Sequence, residues 1–178
     1  MIEDEKIPEK SQIVSGENAI NKVSVSGVES INFQTSVNGI SRAKLEVKIQ
    51  NRFNWRGFTI LIVEDNFISF KLLEVLLKNT FVTILHADNG QKAVDLVSQN
   101  PEINLVLMDI QLPLLNGYQA TTEIKMIRPA LPIIAQTANT MDDDKIKCIK
   151  AGCDDYITKP IDFELFFKKL DLFLQVNN

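Results

Sequence analysis

The sequence predicts an α/β domain with a doubly wound parallel sheet, five strands alternating with five helices, behind a weakly patterned N-terminal arm. Two observations point to this class. Apolar runs of strand length recur from Thr59 onward, each followed by a stretch of helical spacing. The runs are apolar on both faces, as strands covered by helices on both sides must be. A third concerns function: Leu105-Val106-Leu107-Met108 runs into the carboxylate of Asp109. In open α/β sheets the carboxyl end of a strand is where ligands are presented.

Residues 1–56 form the arm or linker, and residues 57–178 the domain. The first forty residues are rich in Ser, Asn, Gly and charge, a composition suited to weak order. Val23 and Val25, and Leu45, Val47 and Ile49, alternate with polar residues and could add a strand to a partner. From Gly57 the texture changes. Thr59–Val63 reads as a first strand ending in Glu64-Asp65, and Asn66 caps the next helix, with Ile68, Leu72, Val75 and Leu76 as its apolar stripe. Phe81–Ala87 is the second strand, and Asp88-Asn89-Gly90 turns into a helix carrying Ala93, Val94, Leu96 and Val97.

The Asp109 strand follows, then a loop to Asn116-Gly117 and a helix to Ile127. Ile133–Gln136 is a fourth strand ending at Thr137. Thr140 or Asp142 starts a helix that stops at the Ala151-Gly152 signal. Tyr156-Ile157 is a short fifth strand before Thr158-Lys159-Pro160. Asp162 caps the last helix, whose Phe163, Phe166, Phe167, Leu170, Phe173 and Leu174 face the core.

Bulk composition narrows the function. Of a formal charge of −4, residues 57–178 carry a net −5, with eleven Lys and Arg against sixteen Asp and Glu. No basic cluster stands out, so direct nucleic-acid binding is not expected. Two cysteines, Cys148 and Cys153, are too few for a disulfide framework and read as packing thiols. The single histidine, His86, excludes multi-histidine metal sites and reads as structural inside its strand. No apolar run has the length of a membrane span, and no signal peptide opens the chain, so a soluble cytoplasmic protein is expected.

What ends the strands carries the chemistry. Glu64, Asp65, Asp109, Thr137 and Lys159 follow four strands whose carboxyl ends share one edge of a parallel sheet. Any one of them alone would be an ordinary turn or surface residue. Together they make an acidic cup with one lysine. Carboxylates about 4 Å apart repel by about 4 kcal/mol per pair at an effective dielectric near 20. Lys159 offsets one charge, and a divalent cation held by oxygens, Mg²⁺, offsets the others. Such a cup suits a phosphoryl group, with Asp109 as nucleophile and metal ligand and with Lys159 and the Thr137 hydroxyl on the other phosphoryl oxygens.

The chain resembles the receiver domains of two-component response regulators over about residues 57–178. The resemblance rests on Ile60-Leu61-Ile62-Val63-Glu64-Asp65-Asn66, on Met108-Asp109-Ile110-Gln111-Leu112-Pro113 with Asn116-Gly117, on Gln136-Thr137-Ala138, and on Ala151–Pro160. The phrasing is most like receivers of hybrid histidine kinases and phosphorelay regulators. The resemblance implies a flavodoxin-like strand order 2-1-3-4-5. It implies Asp109 as the acceptor from a histidine kinase or histidine phosphotransfer protein, with Asp65, Glu64 (through water), Asp109 and the Gln111 backbone carbonyl around Mg²⁺. Thr137 and Tyr156 correspond to the switch pair, Lys159 to the phosphoryl-contacting lysine, and the Lys159–Pro160 bond is expected to be cis. Output is expected through the fourth helix, fifth strand and fifth helix. Two departures stand out: Glu64 occupies a position where either acid is found, and Asn116 replaces a more usual aspartate at a turn, where Asn tolerates positive φ.

The expected function is therefore a phosphoacceptor signalling domain rather than an enzyme, at most phosphorylating and dephosphorylating itself. An aspartate-nucleophile phosphatase is the alternative, but that family resembles a pattern of two aspartates directly after the first strand, unlike Glu64-Asp65-Asn66. A binding-only pseudo-receiver would lack Asp109, Asp65 or Lys159, and all three are present.

Overall fold

A parallel sheet in the order β2-β1-β3-β4-β5 forms the centre of the molecule. The computed structural model describes residues 52–138 and 142–175. In chain order these give β1 (Thr59–Val63), α1 (Phe67–Leu77), a 3₁₀ turn (Lys78–Thr80), β2 (Thr83–Ala87) and α2 (Gly90–Gln99). They continue as β3 (Ile103–Asp109), α3 (Gly117–Ile127), β4 (Ile133–Thr137), α4 (Asp142–Ala151), β5 (Asp155–Thr158) and α5 (Phe163–Gln175). The expected doubly wound class and strand order are both observed. Thr140 lies outside the described residues, so α4 is seen from Asp142.

Side chains alternate across the central strands and build two apolar layers. Ile60, Ile62, Leu105, Leu107, Ile134 and Ile157 face Phe70, Leu73 and Leu77 of α1 and Phe166, Phe167, Leu170 and Leu174 of α5. Leu61, Val63, Val106, Met108, Ile133 and Ala135 face Ala93, Val94 and Val97 of α2, Ala120 and Ile124 of α3, and Cys148 of α4. Asparagines cap the first three helices at the carboxyl edge. Asn66 Oδ1 accepts from the Ile68 and Ser69 N–H groups, Asn89 Oδ1 from Lys92, and Asn116 Oδ1 from Gln119. Asp162 Oδ1 accepts from the Leu165 N–H at the start of α5, as its sequence position predicts.

Three expectations are corrected. The buried stripe of α1 is Phe70, Leu73 and Leu77; Ile68 is 75 % exposed and Val75 45 %. Both stripes satisfy helical spacing in Phe-Ile-Ser-Phe-Lys-Leu-Leu-Glu-Val-Leu-Leu, and the phase set by the Asn66 cap chooses between them. Strand β2 begins at Thr83, because the chain leaves the 3₁₀ turn through Phe81 in the left-handed region (φ 62). Asn116 has φ −67 as the cap of α3, and the positive φ of that loop falls on Leu114 (φ 65).

Packed residues precede the boundary expected at Gly57. Phe53 and Trp55 lie on its arm side, yet both are buried in the α1–α5 layer. Phe53 stacks on Phe167 with centroids 5.3 Å apart, and Trp55 Nε1 donates to Asp171 Oδ1 at 2.9 Å. The Trp55 N–H donates to the Thr80 carbonyl at 2.7 Å. Phe53 and Trp55 thus cover the middle of α5, where the Phe167 ring and Asp171 lie. The alternating stretches at Val23–Val25 and Leu45–Ile49 lie outside the described residues.

Candidate functional site

The strand ends converge as the parallel order requires. Glu64, Asp65 and Asp109 each place a carboxylate oxygen within 4.8 Å of the others, with Glu64 and Asp109 buried and Asp65 exposed. Lys159, arriving from the end of β5, bridges the two buried acids. Its Nζ lies 2.5 Å from Asp109 Oδ2 and 2.8 Å from Glu64 Oε2. The Lys159 N–H donates to the Thr137 carbonyl at 2.8 Å, which ties the lysine's backbone to the end of β4. The Lys159–Pro160 bond is cis, as expected.

Asp109 is held at both oxygens. Oδ2 meets Lys159, and Oδ1 accepts from the Gln111 N–H at 2.8 Å. Behind it, the start of α3 packs directly on the strand. A Cβ at position 117 would lie 2.2 Å from the Asp109 carbonyl oxygen and 2.7 Å from Ile110 Cα, so only glycine fits there. Gln136 pairs in register with Asp109 on the neighbouring strand, is fully buried, and its carboxamide has no protein hydrogen-bond partner. The sequence places Gln136 at the end of a strand-length run but assigns it no role, because its burial beside Asp109 depends on the neighbouring strand's register.

The electrostatics follow from burial. Burial pushes the Glu64 carboxyl above the ordinary glutamate value, against the Lys159 hydrogen bond and charge that pull it down. Burial also works to lower the Lys159 ammonium, but the hydrogen bonds and charges of Asp109 and Glu64 together outweigh it and hold the group above the usual lysine value. One cation therefore serves two buried acids, and Asp65 adds a third carboxylate at the rim. An all-oxygen donor set with excess negative charge fits a hard divalent cation, and Glu64, Asp65 and Asp109 are the side chains that could hold it.

Thr137 closes β4 at the same edge, one residue beyond the Asp109–Gln136 pair, and is 5 % exposed. Tyr156 lies outside the cup. It pairs with Ala135 lower on the sheet, and its half-buried ring sits 5.1 Å from the ammonium groups of both Lys145 on α4 and Lys169 on α5. His86, expected to be structural, reaches the site's backbone: its Nε2 is 2.9 Å from the Glu64 carbonyl oxygen. The cysteines are free thiols, and burial pushes Cys153 up to about 12.

Among the described residues no helix is long and apolar enough to cross a membrane. The sequence profile described as response regulator receiver domain matches residues 60–171. The chain is 36 % identical over 144 residues to hybrid signal transduction histidine kinase I of Dictyostelium discoideum, covering 76 % of this chain and 8 % of that protein. It is 33 % identical over 146 residues to the response regulator SSK1 of Arthrobotrys oligospora, covering 64 % and 14 %. It thus spans a small part of these relatives. Among solved structures, it matches the receiver domain of a Pseudomonas aeruginosa sensor histidine kinase that has a magnesium ion in its active-site cleft. That match has TM-score 0.63 and 33 % identity, over 67 % of this chain and 98 % of that one. It also matches a co-crystal structure of the Saccharomyces cerevisiae phosphotransfer protein Ypd1 with the Ssk1 receiver domain, at TM-score 0.64 and 30 % identity over 68 % and 92 %. The chain belongs to the response regulator receiver-domain family of two-component and phosphorelay systems.

Proposed function

We propose that the chain is a phosphoryl-accepting switch in which Asp109 takes a phosphoryl group from a phosphohistidine donor in a Mg²⁺-dependent reaction. The Lys159 bridge between Asp109 and Glu64 is the observation that carries this reading. A carboxylate oxygen of Asp109 attacks phosphorus, the P–N bond of the donor breaks, and the histidine nitrogen leaves with the bonding pair. Glu64, Asp65, Asp109 and the Gln111 carbonyl would hold the cation, which supplies positive charge to the phosphoryl oxygens. Lys159 supplies the second positive charge by turning from Asp109 Oδ2 toward the new group. The Thr137 hydroxyl, at the end of the adjacent strand, is the third contact.

The switch would run from Thr137 to Tyr156, whose ring lies between α4 and α5. Ile146 (48 % exposed) and Ile149 (68 %) of α4, with Leu165 (47 %) and Leu172 (60 %) of α5, give that face apolar surface for a downstream protein. A histidine kinase or phosphotransfer protein is the proposed donor, supported by the complex of Ypd1 with a related receiver. Incubation with Mg²⁺ and acetyl phosphate should add one phosphoryl group by intact mass, and Asp109→Asn should abolish it. An unmodified wild-type mass would overturn the reading.

A further inference from the structure

The acid pair sits just beyond the end of β1, where the sheet's ladder is running out. The Glu64 N–H still donates to the Ala87 carbonyl at 3.0 Å, one step past the last paired residues Val63 and Ala87. In a parallel ladder the Glu64 carbonyl would next accept from the N–H two residues along, at Asn89. The chain has already turned there, and Asn89 caps α2. The His86 side chain reaches the same carbonyl instead, with Nε2 at 2.9 Å. A carbonyl only accepts, so Nε2 carries the proton. The ring is held in place on its face by Phe70 of α1, with centroids 3.8 Å apart and planes 14° from parallel.

We propose that His86 is a positioning residue for the acidic site: its Nε2–H replaces the missing ladder donor and fixes the Glu64–Asp65 peptide. That peptide plane joins two of the carboxylates that meet within 4.8 Å, so its rotation sets where both side chains start. Asp65 is exposed, and an unpinned peptide there would spread its carboxylate over many positions before a cation arrived. The Phe70 stack extends the restraint to α1, whose first turn follows directly from Asn66. The inference rests on the Mg²⁺ reading of the site and adds a residue that contacts no ion itself.

The test uses the full chain as wild type, His86→Leu and His86→Gln. Long-range ¹H–¹⁵N correlation on the single histidine of the metal-free protein should show the Nε2–H tautomer, and the ring should shift during a Mg²⁺ titration together with the Asp65 amide. His86→Leu should raise the Mg²⁺ midpoint by about tenfold, the usual effect of losing a group that orients a metal ligand. His86→Gln, which keeps a donor, should recover most of that loss, and saturating Mg²⁺ should restore acetyl phosphate labelling of His86→Leu. A residue that only packs would change the melting temperature and leave the midpoint alone. An Nδ1–H tautomer, or a His86→Leu midpoint equal to wild type, overturns the inference while leaving the metal reading intact. A wild type that binds no Mg²⁺ overturns both. The tautomer and ring shift are read on the wild type, so they decide the matter even when His86→Leu fails to fold.

Discussion

Lys159 Nζ and Asp109 Oδ2 stand 2.5 Å apart, closed into an ion pair. The same ammonium also pairs with Glu64, so it would compete with a cation for the two buried acids. Lys159→Ala should therefore move the Mg²⁺ midpoint to lower concentration. It should cost on the order of 2 kcal/mol of stability in Mg²⁺-free buffer, because two buried carboxylates lose their partner. Phosphorylation-induced NMR shifts on α4 and α5 should be lost. Wild-type shifts in the variant would contradict the role given to the lysine.

At the proposed cation site, Glu64 would make binding pH-dependent. Its folded pKa is raised, so the folded state binds more protons than the unfolded chain between the ordinary value of 4.5 and the raised one. Stability from this group falls as pH rises through that window and is regained on acidification. Mg²⁺ needs the carboxylate, so proton and metal compete at higher pH than for a free glutamate. The Mg²⁺ midpoint should climb on acidification from neutral pH already above the ordinary glutamate value. In Glu64→Gln that early climb should vanish. A midpoint flat down to 4.5 in the wild type would refute the assignment.

Gln136 buries a carboxamide with no protein partner beside Asp109. Such a group costs about 1–3 kcal/mol relative to an apolar one of the same shape. Gln136→Met keeps the length and removes both polar atoms. It should raise the melting temperature by a few degrees, about 1 kcal/mol or more. An unchanged or lower melting temperature would show that the amide is satisfied in solution.

The Trp55–Asp171 bond predicts where the domain starts. Removing residues 1–51 should preserve one cooperative urea transition, and removing residues 1–56 should cost about 3 kcal/mol or more by stripping Phe53 and Trp55 from the core. Trp55→Phe should cost about 1 kcal/mol through the lost hydrogen bond to Asp171. The chain has a single tryptophan, so its fluorescence reports the clasp directly. An equal stability for the two truncations would mean that the contact contributes nothing.

The sequence by itself determined the class, because strand-length apolar runs alternating with helical spacing leave few other architectures. It also determined that Glu64, Asp65, Asp109 and Lys159 meet, since parallel strands put all their carboxyl ends on one edge. Neighbour-dependent features needed the tertiary structure. Periodicity could not choose between two apolar stripes of α1, because both obey the same spacing and only the cap's phase and the layer beneath decide. Phe53 and Trp55 looked like linker until α5 supplied a surface for them. His86 looked like one more strand residue, and its bond to Glu64 exists only because the chain after β2 turns away to cap α2 at Asn89, leaving a carbonyl that the backbone no longer reaches.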